Sequence, residues 1–224
     1  MSGGHGGHGR TTRADRVTET REAIMSTAER LFAEHGLSAV SNRQICEAAG
    51  QGNVAAVGYH FTGRAGLIRA ILLKHGEQID LIRGRHLAEA GDSDDIRDWV
   101  GCLVRPVAEH LGSLGIPSWQ ARFGVQVMND PLLRAISIDE ALVRTSLRRT
   151  LEGLRHCVKD MPVGVRAERA DMARQLITHT CAEREHALAR GAAPPRSSWA
   201  RTAGALTDAI VGMLTAPVTP RTAL

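Results

Sequence analysis

Apolar residues recur at helical spacing along almost the whole chain, and the strict alternation of a half-buried strand appears nowhere. Over residues 17–35, Ile24, Ala28, Leu31 and Phe32 fall at i, i+4, i+7 and i+8, one face of an amphipathic helix that Gly36 ends. Ile45, Ala48 and Ala49 fall at i, i+3 and i+4. Over residues 63–89, Ile68, Ile71, Leu72, Ile79 and Ile82 share a stripe with His75 among them. A helix of about 25 residues spans about 38 Å, enough to link one unit to another. Residues 94–111 carry Trp99, Cys102, Leu103 and Val107, with Pro106 placed to kink the helix. Residues 118–129 put Trp119, Phe123 and Val127 at i, i+4 and i+8, and residues 139–159 align Val143, Leu147, Leu151, Leu154 and Val158. After a helix over residues 166–190, residues 198–214 space Trp199, Ala203, Leu206, Ile210 and Met213 as a heptad-like seam. Gly- and Pro-rich breaks at residues 91–95, 112–117, 161–162 and 191–197 separate these segments. The pattern predicts an all-α protein.

Residues 41–67 are the most informative stretch. Ser41 followed by Gln44 is a capping box, in which the hydroxyl accepts the Gln44 N–H and the Gln44 side chain reaches back. Gly50-Gln-Gly52 breaks that helix, and Asn53 can cap the next. From about Val54 the second helix has almost no bulk, and it closes on Tyr59-His60-Phe61, with the single tyrosine of the chain. Small side chains allow a backbone to approach a surface closely. Two short helices around a turn, the second thin and ending in an aromatic hydroxyl between arginines, fit a helix-turn-helix with its recognition helix.

Several spaced motifs also carry a family resemblance: Thr20-Arg-Glu-Ala-Ile24, Ala28-Glu-Arg-Leu-Phe-Ala-Glu-His-Gly36, Ile45-Cys-Glu-Ala-Ala-Gly50, Asn53-Val-Ala-Ala-Val-Gly-Tyr-His-Phe61 and Arg64-Ala-Gly-Leu67. Together they resemble the N-terminal domain of TetR-family transcriptional regulators over roughly residues 15–75. The turn 50–53 is longer than the usual family turn, and Arg64 stands where the family usually has lysine. The resemblance implies a three-helix DNA-binding head, a long connecting helix and a helical ligand-binding and dimerisation body. It also implies phosphate contacts at Tyr59 and Arg64. The expected division is a disordered arm at 1–16, a head at 17–75, a body at 76–216 and a flexible tail at 217–224.

Composition adds limits. The net charge is +4, and residues 1–75 hold nine Arg or Lys against six Asp or Glu, a mild basic bias compatible with DNA. The 1–16 segment is Gly-, His- and Thr-rich; its Arg10, Arg13 and Arg16 can serve as a minor-groove arm or simply be solvated. Cys46, Cys102, Cys157 and Cys181 show no metal or secreted-framework spacing, as expected of reduced cytoplasmic thiols. No apolar run of about 18 residues exists, so no membrane span is expected.

The surface expected to meet DNA comprises Ser41, Arg43, Asn53, Val54, Ala55, Ala56, Gly58, Tyr59, His60 and Arg64. A mostly apolar effector pocket is expected at Trp99, Cys102, Leu103, Trp119, Phe123, Val127 and Cys157, residues that can equally be plain core. A homodimer is expected on the last two long helices, through Leu176, His179, Glu183, Trp199, Ala203, Leu206, Ile210 and Met213. The predicted function is a ligand-responsive DNA-binding regulator, acting as a repressor on a palindromic operator, with no cofactor and no metal. The alternative is an all-helical enzyme or metal-binding protein using the His, Cys and Glu residues of 156–186, among them His156-Cys157, His179, Cys181, Glu183 and His186. No phosphate loop, nucleophile elbow or zinc-protease motif supports it. A third option is a nucleoid-type DNA binder without ligand.

Overall fold

The computed structural model describes residues 13–192 and 198–218. Among these residues ten helices follow in order, α1 (Arg13–His35), α2 (Asn42–Ala48), α3 (Ala56–Phe61), α4 (Arg64–Ala90), α5 (Ile96–Ser113), α6 (Gln120–Asn129), α7 (Pro131–Leu142), α8 (Thr145–Cys157), α9 (Val163–Ala189) and α10 (Trp199–Thr215). No strand occurs among the described residues, so the all-α expectation holds. No helix there is long and apolar enough to cross a membrane. Helix α4, 27 residues long, spans about 40 Å and joins the head to the body.

Several boundaries differ from the sequence expectation. Helix α1 begins at Arg13, so Arg13 and Arg16 belong to a helix rather than to an arm; Arg10 lies outside the described residues, as do His5 and His8, the two histidines of that Gly-, His- and Thr-rich segment. The segment 139–159 is two helices, broken at Val143 and Arg144. Val143 is 72% exposed and has left the apolar stripe, while the Arg144 guanidinium lies against Gly76 of α4, 2.6 Å from where a Cβ would be. The break is thus fixed by a neighbouring helix, which local periodicity does not register. Asp130 caps α7 through the Leu132 and Leu133 N–H groups, and Pro131 occupies the first turn, where its missing N–H is no loss. Helix α5 continues through the buried Pro106. Of the linker 191–197, residues 193–197 lie outside the described residues, as do residues 219–224 of the tail.

Two apolar cores hold the molecule. The first gathers Ile24, Met25, Ala28 and Phe32 of α1, Ile45 and Cys46 of α2, Val57 and Phe61 of α3 and the start of α4. It also takes in Phe123 and Val127 from α6, and the Phe32 and Phe123 rings stack with centroids 6.1 Å apart. The second contains Leu87, Trp99, Val100, Val104, Leu111, Leu154 and the inner faces of α9 and α10. Helix α6 therefore serves both cores, which ties the head to the body by burial as well as by chain connection.

Candidate nucleic-acid interface

The capping box at α2 is present. The Ser41 N–H donates to Gln44 Oε1 at 2.8 Å, and the Gln44 N–H donates to Ser41 Oγ at 3.2 Å. Ile45 and Cys46 point into the core, whereas Ala48 of the expected stripe is exposed. Helix α2 closes as a Schellman motif. Gly50 takes φ +68°, its N–H donates to the Glu47 carbonyl, and the Gln51 N–H donates to the Cys46 carbonyl. A residue with a Cβ at position 50 would be strained in that left-handed conformation.

The turn runs longer than the sequence suggests. Asn53, Val54 and Ala55 precede α3, and the N-cap position is Ala55. Asn53 instead forms a turn of its own, Oδ1 accepting the Ala55 N–H at 2.9 Å, and its amide NH₂ donates to no group among the described residues. Val54 is 50% exposed and Tyr59 78%. Both side chains are therefore open to solvent and outside the head core. Ser41, Arg43, Asn53, Val54, Ala55, Gly58 and Tyr59 are all exposed. Arg43 pairs with Glu47 one turn on at 2.7 Å, and this raises its pKa.

Three expected contact residues are placed differently. Ala56 is 6% exposed and faces the core. His60 is half-buried, its carbonyl accepting Arg21 Nη1 at 2.5 Å. Arg64 is turned inward. Its Nη1 donates to the Val40 carbonyl at 2.5 Å, its Nη2 to the Leu37 carbonyl, and its guanidinium lies 4.7 Å over the Phe32 ring. Burial lowers its pKa. The expectation of a phosphate-binding Arg64 is corrected accordingly, because a guanidinium held by two carbonyls and a ring closes the α1–α2 loop onto α4. Arg21 does similar work on α3, 4.3 Å over Phe61. Gly66 completes the seat: a Cβ there would overlap the Phe61 carbonyl, so α3 and α4 meet too closely for any side chain.

In the body, the residues expected to line an effector pocket do not converge. Phe123 and Val127 belong to the head core. Trp99 packs where a Cβ on Gly153 would lie, with Nε1 donating to the Ser93 carbonyl at 2.8 Å. Trp119 is half-buried and donates to Glu34 Oε1 at 3.2 Å. Cys102 lines a small polar cleft with His86, Asp98 and Arg105, and Cys157 donates to the Asp94 carbonyl. Only Leu103 borders an open apolar groove, one of about 410 Å³ between α5, α8, α9 and α10.

The expected dimer seam is corrected too. Ala203, Leu206 and Ile210 are at most 4% exposed within one protomer and pack in the body core beside α5. Trp199 and Met213 are half-buried. The outer face of α9 is the exposed one: Met172, Leu176, His179, Glu183 and His186 all face outward. Among the described residues, no three His, Cys, Asp or Glu side chains converge as a metal would require.

Two buried polar groups were not legible in the sequence. Glu185 of α9 is 1% exposed. It accepts from Ser118 Oγ at 3.0 Å, the Ala121 N–H at 3.1 Å, the Arg122 N–H at 3.0 Å and Arg122 Nε at 3.2 Å. It thereby caps α6, whose own N-cap residue Trp119 offers no side-chain acceptor. His75 Nε2 meets Glu29 Oε2 at 3.1 Å, and His75 Nδ1 meets His110 Nε2 at 2.8 Å. Where Glu29 is charged and His75 neutral, His75 donates from Nε2 and accepts at Nδ1 from His110; a charged His75 donates from both nitrogens. This file of side chains crosses α1, α4 and α5. Burial, with His75 adjacent, pushes the His110 pKa down to about 4. The position of His75 inside an apolar stripe was the one available signal.

Residues 24–71 match the sequence model of the bacterial regulatory proteins, tetR family. Two Pseudomonas putida proteins are each 35% identical over 100 residues. They are the probable HTH-type transcriptional regulator ArpR and the HTH-type transcriptional regulator TtgR. Each match covers 45% of this chain and 45% of the relative, so the chain spans under half the length of the curated relatives it matches. A TetR family transcription regulator from Marinobacter aquaeolei VT8 shares the fold. Its crystal structure superposes with a TM-score of 0.59 at 16% identity, over 88% of this chain and 97% of that one.

Proposed function

We infer, from the match of residues 24–71 to the TetR family of bacterial regulatory proteins and the 35% identity to two regulators over 100 residues, that the chain is a TetR-family DNA-binding transcriptional regulator rather than an enzyme. The reading rests on one observation above all. Asn53, Val54, Ala55, Gly58 and Tyr59 form a thin exposed surface on a head whose core is otherwise closed. Helix α3 enters the major groove, and its small side chains let the backbone approach the base edges. The free Asn53 amide can pair with an adenine edge. Tyr59 and Arg43 lie at the flanks, where hydroxyl and guanidinium groups meet phosphates.

The protein works as a cytoplasmic homodimer on a near-palindromic operator, its heads set one helical turn of DNA apart, about 34–36 Å. The unpartnered outer face of α9 is the dimer surface, with exposed Met172 and Leu176 at its centre. A small, mostly apolar effector in the body favours a conformation with misplaced heads and so releases the DNA, provided it binds that conformation better. Regulation is then repression relieved by ligand. The domains divide as a head at about 17–75 and a body at about 76–216, with α6 bridging their cores.

The deciding experiment selects bound sequences from a random DNA pool. A recovered near-palindrome, bound by a dimer with a steep salt dependence, supports the reading. Recovery of no consensus sequence would leave a non-specific nucleoid binder instead.

A further inference from the structure

The groove between α5, α8, α9 and α10 holds about 410 Å³, within the roughly 300–1,000 Å³ of small-molecule sites. Its walls are Leu103, Leu151, Leu154, Ala170, Ile210 and Leu214. The α9 wall is built from alanines, and that keeps the trough open. Two arginines also line it, Arg155 of α8, exposed, and Arg166 of α9, half-buried. Neither side chain makes an ion pair or hydrogen bond among the described residues. Several other arginines of the body are paired, Arg97 with Asp208, Arg122 with Glu185, Arg149 with Asp92 and Arg174 with Asp171, and those that are not, such as Arg148 and Arg190, do not line this groove. Two uncommitted guanidiniums beside one apolar trough are complementary to a molecule with an anionic head and an apolar chain.

We propose that this groove binds an amphipathic monoanion, a fatty-acyl carboxylate whose chain lies along the leucine and alanine walls and whose head is held by Arg155 and Arg166. The site deepens the effector reading above and rests on it for its biological meaning, although binding itself requires no DNA. The groove-lining positions of α9, Val163, Arg166, Ala167 and Ala170, recur at i, i+3, i+4 and i+7. At 100° per residue, Met172, Leu176, His179 and Glu183 fall on the opposite face of that helix. A chain in the groove therefore leaves the proposed dimer face uncovered and bears on α9 where it packs beside α10.

The test titrates the 224-residue chain with decanoate, decanol and decyltrimethylammonium, each below its micelle concentration, by calorimetry and thermal melting. Decanoate is expected to bind about tenfold or more tightly than decanol, as two charge-assisted hydrogen bonds would give, and the cation weakest of the three. In R155Q/R166Q decanoate should fall to the affinity of decanol, with an unchanged circular dichroism spectrum. Ala170→Phe should abolish binding of all three by filling the trough; if that variant does not fold, the arginine pair decides alone. Equal affinity for decanoate and decanol, unchanged decanoate binding in R155Q/R166Q, or no binding by any probe overturns the proposal. So does a groove covered by a second copy, seen as a dimer that dissociates when Ala170→Phe is introduced. Operator binding is measured beside these titrations. Decanoate that binds through the arginines without loosening the operator leaves this site standing and removes the effector reading.

Discussion

Arg64 acts inward, and its removal separates a structural role from a DNA contact. Arg64→Ala frees the Leu37 and Val40 carbonyls and uncovers Phe32. It should cost about 2–3 kcal/mol of stability, the scale of hydrogen bonds to a charged group. Arg64→Lys should recover only part, since an ammonium lacks the planar fork. Denaturant unfolding measures both, and the salt slope of DNA binding by the folded variant should stay unchanged, because no phosphate contact is lost. Asn53 gives the reverse case. Asn53→Ser retains an acceptor for the Ala55 N–H but no amide, so the head should stay folded while the selected operator loses about 1–3 kcal/mol against random DNA. Full operator binding by the serine variant would reduce Asn53 to a turn former. At His110 the sign of the pH dependence follows from its depressed pKa. The unfolded chain binds a proton near pH 6.5 and the folded one only near 4. Stability is thus complete above about pH 6.5 and falls towards pH 4, by up to about 3 kcal/mol. The Glu29 carboxylate faces the same pair across His75, so the difference between wild type and His110→Gln isolates the effect. The variant should lose stability less steeply between pH 6.5 and 4.5.

Among the elements, α6 depends on a cap supplied from elsewhere in the chain. Glu185 accepts two of its first N–H groups and neutralises Arg122 in a site almost closed to water. Glu185→Ala strips a buried charge of its partner and orphans those donors. A loss of about 3–5 kcal/mol is expected, visible in thermal melting, with faster hydrogen exchange at Ala121 and Arg122. Helix α6 packs in both cores, so loosening it should also loosen the head. Ser41 needs no such help, because the capping box of α2 closes within four residues.

At the scale of the whole molecule, the two long terminal helices divide their labour. Helix α10 is inward-facing: Ile210 is fully buried beside α5, and Ile210→Asp should unfold the body by burying an unpaired charge. Helix α9 shows its Met172–Leu176 stripe to the outside. Leu176→Asp should therefore leave a folded monomer that has lost the operator, seen by sedimentation and circular dichroism together. A Leu176→Asp protein that sediments as a dimer would exclude this face.

What the sequence determined by itself is whatever short-range chemistry controls. The capping box, the Gly50 helix end, the helical periods and the spaced motifs of residues 20–67 each involve residues a few positions apart, so they could be read directly. The direction in which a stripe faces is another matter. The Trp199 to Met213 period is real, yet periodicity states only that one face is apolar, not whether its partner is α5 or a second chain. The same holds for Phe123 and Val127, apolar residues of a body helix that complete the head core. Arg64, Glu185 and the Glu29–His75–His110 file could not be assigned from the chain, because their partners lie 24 to 67 positions away. A charged side chain reads as solvated until a fold brings carbonyls, amides or rings around it. Only the tertiary structure decided which charges were buried and satisfied, and which two arginines were left beside an open groove.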